Sequence, residues 1–260
     1  MDVALDGKVI VVTGAASGIG EAIARLAGSA RPAGLLLVDR DGAGLASAGD
    51  WLRAQGIPVL SHIADLGGVS GPRDAAAVAL RRFGRIDGLV NAAGLTTRGS
   101  FTDGTVEVWD SLFAVNARAP FLLMQAAIAD MRRRGAPGAI VNILSMNAHC
   151  GLPELAIYAA SKGALATLTR NAAHAHMADR IRVNGINLGW VATPAEDRMQ
   201  AEVLGRGRDW QAKAAAGLPL GRLVTAEEAA RLTLFLLSDA SVPMSGVTAD
   251  LEQWVAGAPP

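Results

Sequence analysis

Leu35-Leu36-Leu37-Val38 is too short to be a helix and continuously apolar where a half-exposed strand would alternate. Such a run is a strand covered on both faces, and the cover has to be helices. Six more β-rich runs recur along the chain, so the candidate strands are Lys8 to Thr13, Leu35 to Asp39, Pro58 to Ile63, Ile86 to Asn91, Gly138 to Ser145, Ile181 to Leu188 and Val247 to Glu252. Helical patterns lie between them, at Ile19 to Ser29, Ala43 to Gln55, Pro72 to Phe83, Val106 to Arg134, Glu154 to Ala178 and Ala226 to Ser238. This alternation predicts an α/β fold: a doubly wound, parallel, seven-stranded sheet with helices on both faces.

No linker or composition shift divides the 260 residues, so residues 1–260 read as a single domain. The segment Thr193 to Pro219 breaks the strand-helix rhythm and is longer than a regular crossover, which predicts a lid. Lys plus Arg equals Asp plus Glu at 24 each, so no overall field draws the chain to nucleic acid or an anionic membrane. Arg132-Arg133-Arg134 reads as solvated cations complementing a helix C-terminus. The apolar runs look too short to cross a bilayer, and the start at Asp2 shows no leader pattern. With one cysteine, Cys150, and no Cys/His cluster at zinc spacing, a reducing, cytoplasmic setting without a metal is expected.

The first strand ends in Thr13-Gly14-Ala15-Ala16-Ser17-Gly18-Ile19-Gly20 before a helix begins. A glycine-rich strand-to-helix turn lets a phosphate approach the main chain and aims the positive helix N-terminus at it, the device of Rossmann-type nucleotide folds. The candidate contacts are Gly14, Ser17, Gly18, Ile19 and Gly20. Asp39 ends the second strand 19 residues after Gly20, where a carboxylate can accept from ribose hydroxyls and repel a 2′-phosphate. NAD is therefore expected over NADP, with Arg40 a partial offset. Asp65 and Leu66 follow strand three and could reach the adenine edge, or Asp65 could simply cap a helix. Asn91-Ala92-Ala93-Gly94 follows strand four, and its small residues permit a close ligand approach, with Asn91, Ala92 and Gly94 as candidates.

Tyr158 is the only tyrosine, and Lys162 follows it by one helical turn. The ammonium can therefore sit beside the phenol and lower its pKa, making a usable acid/base; an exposed pair without function is the plain alternative. Ser145 lies 13 residues before Tyr158 at the carboxyl end of strand five, where such sheets bind ligands.

Over nearly its whole length the chain resembles the short-chain dehydrogenases/reductases. The resemblance rests on Thr13 to Gly20, Asn91 to Gly94, Asn116, Ser145, Tyr158 and Lys162, in that family's order and approximate spacing. It implies that Tyr158 is the general acid/base, that Lys162 lowers its pKa and holds the nicotinamide ribose, that Ser145 positions the substrate oxygen, and that Asn116 anchors a water relay. Asn187 to Pro194 is similar to the segment that grips the carboxamide, through Val191 and Thr193, although Leu188 stands where the family usually has proline. The C-terminal Leu251-Glu252-Gln253-Trp254 also departs from the common pattern. The resemblance further implies a homotetramer, or less often a dimer, built through the fourth and fifth helices; the small residues Ala159, Gly163, Ala164 and Ala166 would permit close contact there or against the chain's own sheet.

These features predict interconversion of a secondary alcohol and a ketone. Asn147, His149 and Trp190 could wall the substrate pocket beside Ser145 and Tyr158, with Arg98 and Glu154 nearby, a mix that suits a sugar or polyol. His149 could equally pack its own loop. His174 and His176, two apart on a helix, read as surface residues. The alternatives are a 3-oxoacyl thioester reductase of the same family, an enoyl reductase, a nucleotide-sugar epimerase and a catalytically silent NAD-binding scaffold.

Overall fold

A computed structural model describes residues 3–256. The expectation about the start of the chain concerned residues 1 and 2, outside that range. The strands are β1 (Val9–Thr13), β2 (Gly34–Asp39), β3 (Val59–Ile63), β4 (Gly88–Asn91), β5 (Gly138–Ile143), β6 (Ile181–Leu188) and β7 (Thr248–Leu251). All pair in parallel in the order β3-β2-β1-β4-β5-β6-β7. The helices are α1 (Gly18–Ser29), α2 (Gly42–Ala54), α3 (Ser70–Phe83), α4 (Val106–Phe113), α5 (Ala119–Arg134), α6 (Ala156–His176), α7 (Pro194–Arg198), α8 (Trp210–Ala215) and α9 (Ala226–Leu237).

The pleat explains the two-sided burial. Ile10 and Val12 join Leu35 and Leu37 beneath α1, α2 and α9, while Val11, Leu36 and Val38 join the opposite core beneath α3, α5 and α6. Burying one such side chain contributes about 1.5–3 kcal/mol, so neither face of these strands can be left wet. The strand order reverses between β1 and β4, and this switch point opens a crevice at the carboxyl ends of the strands.

Two expectations are corrected. Arg134 is not a solvated cation. Its guanidinium is 18% exposed and donates to Asp130 at 2.8 Å, Asp87 at 3.1 Å and the Ile86 carbonyl at 2.8 Å, tying the end of α5 to the start of β4. Asp130 also accepts the Ile86 N–H at 3.0 Å, so this is a satisfied structural network. Second, Val106–Arg134 forms a continuous helical stretch whose length and mean hydropathy of 1.4 would suffice to cross a membrane. The fold uses those apolar residues otherwise: Leu123, Met124, Ala127, Ile128 and Met131 pack on the sheet. A π-helical turn at Ala114–Arg118 interrupts the regular hydrogen bonding of the stretch just before Pro120, which has no N–H to donate.

Candidate active site

The crevice is a cleft of about 650 Å³ that runs from the glycine turn past Tyr158 to the segment after β6. At one end, Gly14 has φ +69°, and a Cβ there would stand 2.8 Å from the Ala93 main chain. A Cβ on Gly20 would drive into the Gly14 carbonyl. Both positions need glycine because backbone packs on backbone. Ser17 precedes α1 in extended conformation with no side-chain cap bond, so the first N–H groups of α1 are left for another acceptor. The loop therefore fits an anionic phosphate group. Ser17, Gly18 and Ile19 all line the cleft.

Asp39 stands at the rim, accepting the Ala16 N–H and the Asp41 N–H at 3.1 Å each, which fixes the carboxylate beside the turn. Asp41 caps α2 through the N–H groups of Ala43 and Gly44. Asp65 and Leu66 also line the cleft, Asp65 accepting the Gly67 N–H at 2.8 Å in its own turn. The Thr13 hydroxyl accepts the N–H groups of Ala92 and Ala93 at 3.1 and 3.2 Å, which holds the strip after β4 beneath the cleft. Ala92 and Gly94 line it. Asn91 does not: it lies buried under the floor, donating to Asn142 at 2.7 Å, so it positions strands and does not face a ligand.

Lys162 is buried and donates to the Ile143 carbonyl at 2.8 Å, with its Nζ 6.0 Å from the centre of the Tyr158 ring. A Cβ on Gly94 would lie 3.5 Å from that nitrogen and 3.4 Å from Asn116 Oδ1, so Lys162 and Asn116 meet at the same bare backbone. Asn116 sits in the π-helical turn outside the cleft lining. Its amide donates to the Leu95 carbonyl at 2.9 Å and the Ser161 hydroxyl at 3.0 Å and accepts the Leu95 N–H at 2.8 Å. Ser145 caps the turn after β5, accepting the Asn147 N–H at 3.2 Å.

The electrostatics correct one expectation. Burial pushes the Tyr158 phenol above its ordinary value of 10.0, and the influence that most opposes it is hydrogen bonding to the Ser145 hydroxyl, not the Lys162 ammonium. Burial also pushes Lys162 down, to about 8. A phenol enclosed by Leu112, Leu155 and Ile157 holds its proton because the anion would lose its hydration.

Past Tyr158, Asn147 and Trp190 line the cleft as expected, and so do Arg98 and Glu154. His149 does not. Its imidazole turns to Asp250 at 3.1 Å and Asn187 at 3.2 Å, at the edge of the sheet, and it is withdrawn as a substrate contact. His174 is exposed, and His176 pairs with Asp179. Val191 bridges to Val224, and Thr193 caps α7 through the Glu196 N–H at 3.2 Å while a Cβ on Gly18 would lie 3.3 Å from it. Thr193 thus joins the glycine turn to the predicted lid. The sequence reading missed Glu196 and Gln200, which line the cleft one helical turn apart beyond that cap. The i, i+4 spacing after Thr193-Pro194 was the available signal.

Similarity to known proteins agrees with this geometry. A family model described as enoyl-(acyl carrier protein) reductase matches residues 14–251. The chain is 36% identical to 2-(S)-hydroxypropyl-CoM dehydrogenase 3 of Xanthobacter autotrophicus, over 93% of this chain and 94% of that protein. It is 33% identical to gluconate 5-dehydrogenase of Gluconobacter oxydans, over 93% and 92%. The crystal structure of L-sorbose reductase from Gluconobacter frateurii, complexed with NADPH and L-sorbose, superposes with a TM-score of 0.93 over 100% of both chains at 29% identity. With the glycine turn, the buried Tyr158 and Lys162 and the switch-point cleft all in one crevice, the chain belongs to the short-chain dehydrogenase/reductase family, whose members are nicotinamide-dependent oxidoreductases.

Proposed function

We propose that this protein is an NAD-dependent oxidoreductase that interconverts a secondary alcohol and a ketone, with Tyr158 as the general acid/base and a sugar or polyol as substrate. The observation that carries the reading is the buried pair Tyr158 and Lys162 in the same cleft as the glycine turn. NAD, bound by the turn and Asp39, would supply the hydride acceptor. Tyr158 and Ser145 hold the reacting oxygen, and Tyr158 exchanges its proton with that oxygen. Lys162, cationic below about pH 8, stands beside the phenol where it would hold the nicotinamide ribose, and Asn116 fixes the strip at Leu95 that borders it. Trp190, Asn147 and the lid at 193–219 close the site against water. Just past the Thr193 to Pro219 lid, Gln253 accepts the Leu220 N–H at 2.8 Å and anchors the segment's far end.

The preference for NAD rests on Asp39, whose negative charge disfavours a 2′-phosphate; the L-sorbose reductase above carries NADPH, so this preference is a property argued for this chain alone. The test is kcat/KM with each cofactor across a series of secondary alcohols, followed by absorbance of the reduced nicotinamide. Alcohol-dependent reduction with NAD favoured is expected. Preference for NADP would reverse the cofactor assignment, and cofactor binding without turnover on any alcohol would favour a silent scaffold. The expected assembly is a homotetramer through the Val106–Arg134 stretch, which holds α4 and α5, and through α6; Trp109 and Phe121 are exposed on the first of these, and light scattering should give four chain masses. Within the small-residue face, Ala166 is buried in the chain's own core, and Ala159, Gly163 and Ala164 are partly open.

A further inference from the structure

Beyond Tyr158 the cleft wall carries Arg98, Glu196 and Gln200, which the proton and hydride steps leave unused. One carboxylate oxygen gathers them. Glu196 Oε1 accepts from Gln200 Nε2 at 2.5 Å and from Trp190 Nε1 at 2.9 Å, and Arg98 Nη2 stands 3.9 Å away. This fixes the amide. With its nitrogen turned to the carboxylate, Gln200 is 2% exposed and its Oε1 is buried without a partner. Arg98 donates from Nη1 to the Thr96 carbonyl at 2.9 Å and leaves Nε buried without a partner. The cluster therefore holds one spare acceptor and one spare donor around a charge pair that cancels. Buried polar atoms left unpaired are uncommon and costly, and here both belong to residues of the cleft wall.

We propose that Arg98, Glu196 and Gln200 read a second hydroxyl of the substrate, so that the enzyme selects polyols and sugars carrying a hydroxyl beyond the reacting carbon. The proposal deepens the function above and rests on it. A hydroxyl both donates and accepts, so it is the neutral group whose chemistry answers a spare acceptor and a spare donor, once the wall opens enough to admit it to these buried atoms. A carboxylate or sulfonate answers Arg98 but sets an anionic oxygen against Gln200 Oε1 and Glu196. An alkyl or acyl chain leaves both atoms unpaired. The cluster is close enough to the reacting centre for Glu196 and Arg98 to act on the Tyr158 phenol in opposite directions. Glu196 belongs to α7 and Gln200 to a π-helical turn at Met199–Val203, so the reader sits on the lid and substrate recognition is built into its closure.

The test uses the whole enzyme saturated with its preferred oxidised cofactor and a matched five-carbon series: pentan-2-ol, pentane-2,3-diol, pentane-2,4-diol, xylitol and 4-hydroxypentanoate. Two readouts are taken, reduced-nicotinamide formation and quenching of tryptophan fluorescence. The best hydroxylated neutral member should exceed pentan-2-ol by about 10- to 100-fold in kcat/KM, the range expected when a buried group loses its partner. Gln200→Met, of similar volume, should bring that ratio near unity, and Arg98→Lys, which keeps the charge but loses the Nε donor, should lower it as well. Preference for 4-hydroxypentanoate, or a ratio unchanged in both variants, would overturn the proposal. Turnover without the hydroxyl preference overturns the reader and leaves the oxidoreductase reading standing. Fluorescence-detected preference without turnover does the reverse, and neither binding nor turnover of any member overturns both.

Discussion

At the scale of single residues, burial decides the chemistry. The Tyr158 phenol is raised by desolvation, so it stays protonated at neutral pH and is ready to give its proton to a ketone oxygen. Alcohol oxidation needs the deprotonated form, so its kcat/KM should rise with pH from 7 to 10 while ketone reduction holds level and falls only above 10; a flat oxidation profile would contradict the direction of this shift. Lys162 carries a separate signature. Its folded pKa of about 8 lies below the ordinary 10.5, so the folded state releases its proton first and stability should rise as pH climbs through that window. The full effect is about 3 kcal/mol. Denaturant unfolding of Lys162→Met should lack the rise; an identical slope in both proteins would show that burial does not strain the ammonium. The sequence placed both residues on one helix face, because i, i+4 spacing is a local rule, but it could not show which influence wins at the phenol, because desolvation depends on an apolar shell that Leu112 of α4 closes over Leu155 and Ile157 beside the phenol.

At the scale of elements, caps and turns divide what is legible from what is not. Thr225 and Glu228 form a reciprocal capping box at the start of α9, and Arg222 pairs with the same carboxylate at 2.7 Å, holding Glu228 down to about 2. A depressed carboxyl stabilises above its ordinary pKa of 4.5, and that contribution fades as pH falls from 4.5 towards 2. Glu228→Ala should therefore cost about 1–2 kcal/mol at pH 7 and much less near pH 2, read by thermal unfolding. An equal loss at both pH values would contradict the pairing. The strands were readable to within about two residues because short β-rich runs set between longer helical patterns admit few alternatives; β6 spans Ile181–Leu188 as expected. The π-helical turn holding Asn116 was not readable, since a single phase slip of about 100° is hard to see in a stretch as broadly apolar as Val106–Arg134. His149 failed for a related reason: position between Ser145 and Tyr158 says nothing about which way a loop side chain turns, and Asn187 and Asp250 supply partners from the sheet edge.

At the scale of the whole molecule, the fold was legible and the far wall of the cleft was not. Seven β-rich runs alternating with helices, and the glycine turn after the first, predict the parallel doubly wound sheet, whose crevice opens at the β1 and β4 switch point. The wall comes from the segment after β6, where short helices α7 and α8 carry no periodicity long enough to read, and where Glu196 and Gln200 gain meaning only when Arg98 meets them from another part of the chain. The central claim is that the molecule brings one phenol to a bound nicotinamide. Its most direct test is Tyr158→Phe, with NADH binding followed by fluorescence and alcohol oxidation by absorbance in the same preparation. The account predicts NADH affinity within about threefold of the parent and turnover lower by at least about a thousandfold, at the upper part of what a positioned acid/base supplies. Turnover within about tenfold of the parent, with binding intact, would contradict it.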